Sequence, residues 1–343
     1  MTARAERGWF PCLGLLFMLC WGCSGAALAS EDILIPRIGG EWRTIATNPD
    51  LGALTSPAQE PVDFAVWQAA DGTWQLQSCI RYTKEEGRTR LFYRWQAASP
   101  YQPGWRPVGI VMHADPDRGE LPGGLMAPFV LPHHGLYYMF YSSGLEISLA
   151  TSSDGKTFER YRGASGSGLF SEPLGAWDEA TGRVLATHAR DPMVLRVEDR
   201  FHCYYTADTL IGEGGDFREA EEGVYVRTSR DLLSWGPSQV VRRGGSAGSK
   251  QSSAESPFVF QHRRSGAYYL FTTQRYGEDA QTSVYRSTDP RHFGLDQDEG
   301  FLVARLPVAA PEILEHEERT WLAALTPDLE GIRLVLLEWV PRP

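Results

Sequence analysis

The feature that most constrains this chain is a unit that recurs at near-constant spacing: a small or acidic residue, a proline, a short apolar run, a turn and an aromatic second strand. Met126-Ala127-Pro128-Phe129-Val130-Leu131 leads through His134-Gly135 to Leu136-Tyr137-Tyr138-Met139-Phe140. His188-Ala189-Arg190-Asp191-Pro192-Met193-Val194-Leu195 leads to Phe201-His202-Cys203-Tyr204-Tyr205. Glu255-Ser256-Pro257-Phe258-Val259-Phe260 leads through Ser265-Gly266 to Ala267-Tyr268-Tyr269-Leu270-Phe271, and Ala310-Pro311-Glu312-Ile313-Leu314 precedes Thr320-Trp321-Leu322-Ala323. The four prolines lie 64, 65 and 54 positions apart, and a step of 64 back from Pro128 lands on Phe64, within Asp63-Phe64-Ala65-Val66-Trp67. The chain therefore holds five such units.

Proline is tolerated where a strand begins, because its missing N–H is not needed there. Units of three or four short strands cannot bury both faces alone and must stack on their neighbours. This predicts an all-β chain forming one five-bladed β-propeller, with blades starting near residues 62, 126, 190, 255 and 309. A two-sheet sandwich also has many short strands but does not call for a constant register. A weaker repeat sets an Asp four residues ahead of an aromatic in three units: Asp154 and Phe158, Asp231 and Trp235, Asp289 and Phe293. It reads as an Asp-capped turn with the aromatic tucked back beneath. Residues 30–60, with Trp42, are expected to supply a strand that closes the ring, and residues 332–340 to end the last blade.

The first 29 residues read as a signal peptide: Arg4 and Arg7, an apolar run over residues 9–19, then Ala27-Leu28-Ala29 ahead of Ser30. The mature domain is then 30–343, secreted or periplasmic; a lipid anchor on Cys23 is the lesser alternative. The apolar run is too short to favour a membrane span, and a formal net charge of −10 argues against nucleic acid as a partner. Of the five cysteines, Cys79 and Cys203 follow the expected cleavage point, both in apolar strands, and read as buried free thiols. The Gly/Ser-rich stretch 244–253 lacks the order of a phosphate-binding loop and reads as a mobile segment ahead of Glu255. A monomer is expected.

In a propeller the innermost strands line the axis and their starts face a common funnel. The residue before each anchor is Asp63, Ala127, Asp191, Ser256 and Ala310, with Glu255 one position earlier. Acids scattered over a solvated surface would not select this slot. Three carboxylates brought together raise the pKa of at least one of them. A raised acid beside an ionised one suits glycosidic cleavage, where one group protonates the leaving oxygen and the other activates water or attacks the sugar. Capping of strand starts is the plainer role for any one of them taken singly. Around these acids, Arg190 is placed either to clamp a sugar hydroxyl or carboxylate or to pair with an acid. His188 and Arg81 are candidates to line the funnel, and Trp67 to stack on a sugar ring or pack in the core. Asp115, in Ala114-Asp115-Pro116, falls between blades and reads as a turn.

Arg190-Asp191-Pro192, Glu255-Ser256-Pro257 and the Ala-Pro pairs of blades two and five resemble the five-bladed glycoside hydrolases of family 43 and their relatives in families 32, 62 and 68. The resemblance covers about residues 55–340. It implies a blade-one base at Asp63, a blade-three pKa-tuning acid at Asp191 and a blade-four general acid at Glu255. The implied substrate is an oligo- or polysaccharide bearing arabinofuranosides or xylosides. Blade one departs from the pattern: Val62-Asp63-Phe64 stands where Asp-Pro is usual, which argues against a fructosidase. No metal is assigned from the residues; the resemblance allows a channel calcium ion, with His316 as a loose candidate ligand. Two other functions stay open: a catalytically silent propeller that binds glycan or protein, and a sialidase-like hydrolase suggested by Ser152-Ser153-Asp154-Gly155-Lys156-Thr157-Phe158. Stereochemistry depends on the carboxylate separation, which sequence does not give.

Overall fold

The computed structural model describes residues 33–144, 146–163, 168–170, 177–178, 183–185, 189–213 and 216–343. The expected signal peptide and His188 lie outside these residues. Strands form five separate antiparallel sheets, which rules out the two-sheet sandwich. Blade one runs Glu60–Gln68, Trp74–Arg81, Leu91–Ala97 and Arg106–Met112 from the axis outward. Blade two is built on Met126–His133, Leu136–Ser142 and Ile147–Ser152, and blade three on Arg190–Val197, Arg200–Glu213, Asp216–Ser229 and Gln239–Arg243. Blade four runs Glu255–Gln261, Tyr268–Arg275, Gln281–Ser287 and Leu302–Leu306.

Blade five joins the two ends of the described chain. Its inner three strands, Glu312–His316, Arg319–Leu325 and Gly331–Pro341, come from the C-terminal region, and its outermost is Leu34–Thr47, paired along Gly331–Pro341. The tail is thus the third strand of the blade. Arg333 lies over the Trp42 ring at 4.0 Å, and the Tyr269 hydroxyl of blade four donates to the Leu34 carbonyl at 2.8 Å. The ring is thus closed by pairing strands distant in sequence, with Leu34–Thr47 as the edge strand of the last blade.

The repeated slot has a backbone cause. Asp63, Ala127, Asp191, Ser256 and Ala310 all take positive φ, between 34° and 56°. In blades one to four the strand register slips there, at Val62/Phe64, Met126/Phe129, Arg190/Met193 and Glu255/Phe258. This is a β-bulge, which leaves a residue out of the ladder and re-aims its side chain. In blades two to four the proline sits inside the unpaired step, where a missing N–H costs nothing. In blade one the step is a single residue, so Phe64 stands within the ladder, opposite Ser78. The absence of proline there leaves the bulge and the left-handed Asp63 intact. Left-handed non-glycine residues cost on the order of 1–3 kcal/mol each, and here the strain falls on the funnel.

The Asp-turn repeat seals neighbouring blades. The Asp154 carboxylate accepts from the amides of Lys156 and Thr157, and that of Asp231 from Leu233 and Ser234. Each following aromatic then wedges against the preceding blade: Phe158 edge-on to Trp67, Trp235 to Phe140, and buried Phe293 to Tyr204. These turns therefore have a packing role. The Asp115 turn is also structural, its carboxylate accepting from Arg118 Nε at 2.8 Å. Cys79 and Cys203 are buried and unbridged.

Candidate active site

Within one funnel of ≈ 420 Å3 the bulges and the strand starts beside them place Asp63, Asp191 and Glu255 together with Arg81, Arg90, Arg190, Asp208 and Tyr276. Beneath it a void of ≈ 20 Å3 is lined by the five positive-φ residues and by Glu312. A roomier hollow of ≈ 690 Å3 lies between Arg43–Asp50 and the outer part of blade one, but Asp50 is the sole acid lining it. The three acids share the smaller, charged cavity.

Hydrogen bonds tie the three acids into one network. Ser256 Oγ donates to Asp63 Oδ1 at 3.0 Å and is 2.9 Å from the Tyr276 hydroxyl. The Ser256 amide donates to Asp191 Oδ2 at 3.1 Å, as does Thr206 Oγ1. Arg190 is the hub of the other half. Its guanidinium lies 3.9 Å from Asp191, 3.5 Å from Asp208 and 3.3 Å from Glu255, and it also donates to Glu222. Asp208 and Glu222 face each other across paired strands. Two like charges in that relation repel, and Arg190 lies against both. Of the two roles open to Arg190, the structure shows pairing with acids.

Glu222 has a second task. Its fully buried carboxylate accepts from the amides of Ala254 at 2.8 Å and Ser252 at 3.1 Å, while Arg242 reaches Asp298 at 2.9 Å and Asp298 holds the Ser246 amide. The stretch 244–253 is thus pinned at both ends, correcting the expectation of a mobile segment. Glu222 fixes the backbone immediately ahead of Glu255.

Electrostatics separate the acids. Glu255 is pushed up to about 7 by burial first, then by the negative charge of Asp191, with Arg190 opposing. Asp63 is pushed up to about 6 by burial and by Asp191, while the Ser256 hydrogen bond, Arg81 and Arg90 pull it down. Burial favours proton loss from Arg190, yet the surrounding carboxylates outweigh it and hold the guanidinium charged. Glu312, in the axial channel, is held well above the usual carboxylate range by burial and by Asp63.

Arg81 reaches the funnel, bound to Glu60 at 2.7 Å. Trp67 does not reach it. Its side chain is buried, its Nε1 donates to the Gly155 carbonyl at 2.8 Å, and it packs on Phe158, so of its two readings the core one holds. A bulge at Asp63 re-aims one side chain only, and Trp67, four residues on, falls between blades. His316 also lies elsewhere, at the far end of its strand, against Trp74 and Tyr101. Among the described residues no three His, Cys, Asp or Glu side chains gather as ion ligands, so the residues present do not fit a channel metal held through His316.

Sequence reading placed Ser256 at the funnel without a role and missed Asp208, Glu222, Tyr276, Arg88 and Arg90. A signal existed for the two acids: each ends or begins an apolar strand run, Tyr204-Tyr205-Thr206-Ala207-Asp208 and Glu222-Gly223-Val224-Tyr225-Val226, as Asp191 does.

Fold and funnel together define a class: five-bladed propellers whose axial mouth is lined by acids on distorted inner strands. No family model matches the sequence, and no curated protein matches it. The fold does have solved counterparts. A thermostable family-43 glycoside hydrolase superposes with a TM-score of 0.57 at 17% identity, over 85% of this chain and 92% of that one. The GH43_1 enzyme from Xanthomonas citri complexed with xylotriose gives 0.54 at 17%, over 86% and 89%. A β-xylosidase/α-arabinofuranosidase from a compost microbial metagenome, with xylotriose in a calcium-free form, gives 0.53 at 14%, over 88% and 95%. At these identities the shared property is the fold.

Proposed function

We propose that this protein is a glycoside hydrolase, with Glu255 as general acid, Asp63 as base and Asp191 as the charge that tunes both. The observation that carries this reading is the pair of raised acids in one funnel, Glu255 at about 7 and Asp63 at about 6. Near pH 6.5 a protonated Glu255 and an ionised Asp63 coexist, the condition that acid–base cleavage needs. Glu255 gives its proton to the glycosidic oxygen as the bond to the anomeric carbon breaks. Asp63 takes a proton from the water that forms the new bond. Asp191, held by Ser256 and Thr206, stays clear of proton transfer and keeps its neighbours' pKa values high. Xylosides and arabinofuranosides are the substrates to try first, since proteins of similar fold include enzymes solved with xylotriose. The N-terminal segment fits export to the periplasm or medium.

The test is hydrolysis of nitrophenyl arabinofuranoside, xyloside and galactoside by wild type, Glu255→Gln and Asp63→Asn. Asp63→Asn should cost about 10²–10⁴-fold, and Glu255→Gln less on these substrates, since a nitrophenolate leaves with little need of a proton. Full activity in Glu255→Gln would remove the general-acid assignment. No hydrolysis of any of the three by wild type would favour a glycan-binding propeller.

A further inference from the structure

The arginines of the funnel divide into two kinds. Arg190 faces four carboxylates and Arg81 is bound to Glu60. Arg88 and Arg90 line the same cavity, yet among the described residues neither has a carboxylate partner. Arg88 makes one long contact, to the Gly144 carbonyl at 3.4 Å, and Arg90 touches only the Met126 thioether, a weak acceptor. Each guanidinium carries five N–H donors; Arg88 is exposed and Arg90 half-buried, so both have donors open to the cavity. Arg90 is close enough to Asp63 to pull its pKa down.

The hairpin that carries them is built rigidly. Thr83 holds the Thr89 carbonyl through its amide at 3.1 Å and its hydroxyl at 2.9 Å. The amide of Arg88 donates to Pro122 at 2.9 Å and that of Arg90 to Gly123 at 3.0 Å. The approach is so close that a Cβ on Gly87 would meet the Pro122 carbonyl oxygen at 2.3 Å, and one on Gly123 the Glu86 oxygen at 2.4 Å. Both positions also have positive φ, so both need glycine. The pair is presented on a clamped loop of blade one; of the funnel acids Asp63 shares that blade, while Asp191, Asp208, Glu222 and Glu255 come from blades three and four.

From this segregation we infer that the funnel accepts a sugar bearing a carboxylate, read by Arg88 and Arg90, as the residue at or next to the scissile bond. The inference rests on the hydrolase reading of the same site and names its substrate class. An acid-rich funnel repels an anionic glycan unless cations on one wall offset the field. Forked guanidiniums match a planar carboxylate with paired hydrogen bonds. Bound this way, the carboxylate lies toward blade one and the glycosidic oxygen toward Glu255.

The test is calorimetric titration of the full chain, carrying Glu255→Gln to prevent turnover. The ligands are glucuronate-bearing xylo-oligosaccharide, galacturonate trimer and sialyllactose, each beside its carboxyl-reduced counterpart. At least one acid should bind tenfold or more tightly than its reduced partner. The advantage should vanish in Arg90→Gln and Arg88→Gln, survive in part in Arg90→Lys, and shrink with added salt. The acid that shows it identifies whether a uronate or a sialic carboxylate is the source. Equal affinity within every pair, or an advantage untouched by both glutamine substitutions, overturns the inference. Inorganic sulfate binding as tightly, with the same arginine dependence, overturns the carboxylate specificity. Turnover by the unmodified chain is scored separately. Cleavage of neutral xylosides with no acid preference would leave the hydrolase reading standing and remove this one. Acid-selective binding with no cleavage would remove the hydrolase reading and leave a carboxylate-binding site at Arg88 and Arg90.

Discussion

Replacing Glu255 by Gln should make the protein more stable at pH 8 while lowering its activity. In an unfolded chain this glutamate ionises at its ordinary 4.5; in the folded funnel the value is about 7. A carboxyl whose folded pKa is raised favours the native state fully below pH 4.5, loses that advantage between 4.5 and 7, and above 7 carries the whole cost of a buried charge. At about 1.4 kcal/mol per tenfold change in ionisation constant, that cost approaches about 3 kcal/mol. The attraction of Arg190 is already contained in it, and the Gln carbonyl can still accept from Arg190 at the 3.3 Å position. Some relaxation brings the expected gain to about 1–3 kcal/mol at pH 8. Urea unfolding of wild type and variant at pH 8.0 and 4.5 measures it, with midpoints separated at the higher pH and coincident at the lower. Equal stability at pH 8, or the same increment at both values, would refute the claim that the funnel holds Glu255 as a strained, desolvated acid.

Three further outcomes follow from the same geometry. The pH profile of kcat/KM should be a narrow bell, rising as Asp63 ionises near 6 and falling as Glu255 ionises near 7; a plateau extending to pH 9 would contradict it. Glu222→Ala strips Arg190 of its most buried partner and leaves the Ser252 and Ala254 amides without an acceptor, so unfolding free energy should drop by about 3–5 kcal/mol. A variant within 1 kcal/mol of wild type would show that the arginine hub is held without Glu222. Deleting residues 34–47 opens the ring along Gly331–Pro341 and should abolish cooperative unfolding followed by tryptophan fluorescence, whereas a sharp transition would mean that four complete blades suffice.

The five-unit register was legible in the primary structure because proline, a small or acidic neighbour and an apolar run mark each strand start, whatever the rest of the blade does. That register was enough to locate Asp63, Asp191 and Glu255 on one axis, and the Asp turns with their aromatic wedges were legible for the same reason: local chemistry repeats with the blade. What the three acids touch was not legible. Arg190 meets Asp208 and Glu222 only because a long hairpin folds them back beside it, and Ser256 joins Asp63 across 193 positions of chain. Trp67 and a ring-facing aromatic read alike in sequence, and only the contacts with Phe158 and the Gly155 carbonyl of blade two show Trp67 in the seam. Phe64 looked like a defect in the pattern, but left-handed backbone at Asp63, not proline, aims the carboxylate. Local residue preferences thus determined where strands begin. Long-range closure of the ring decided which charges became neighbours, since burial and Coulomb energies depend on distance in space.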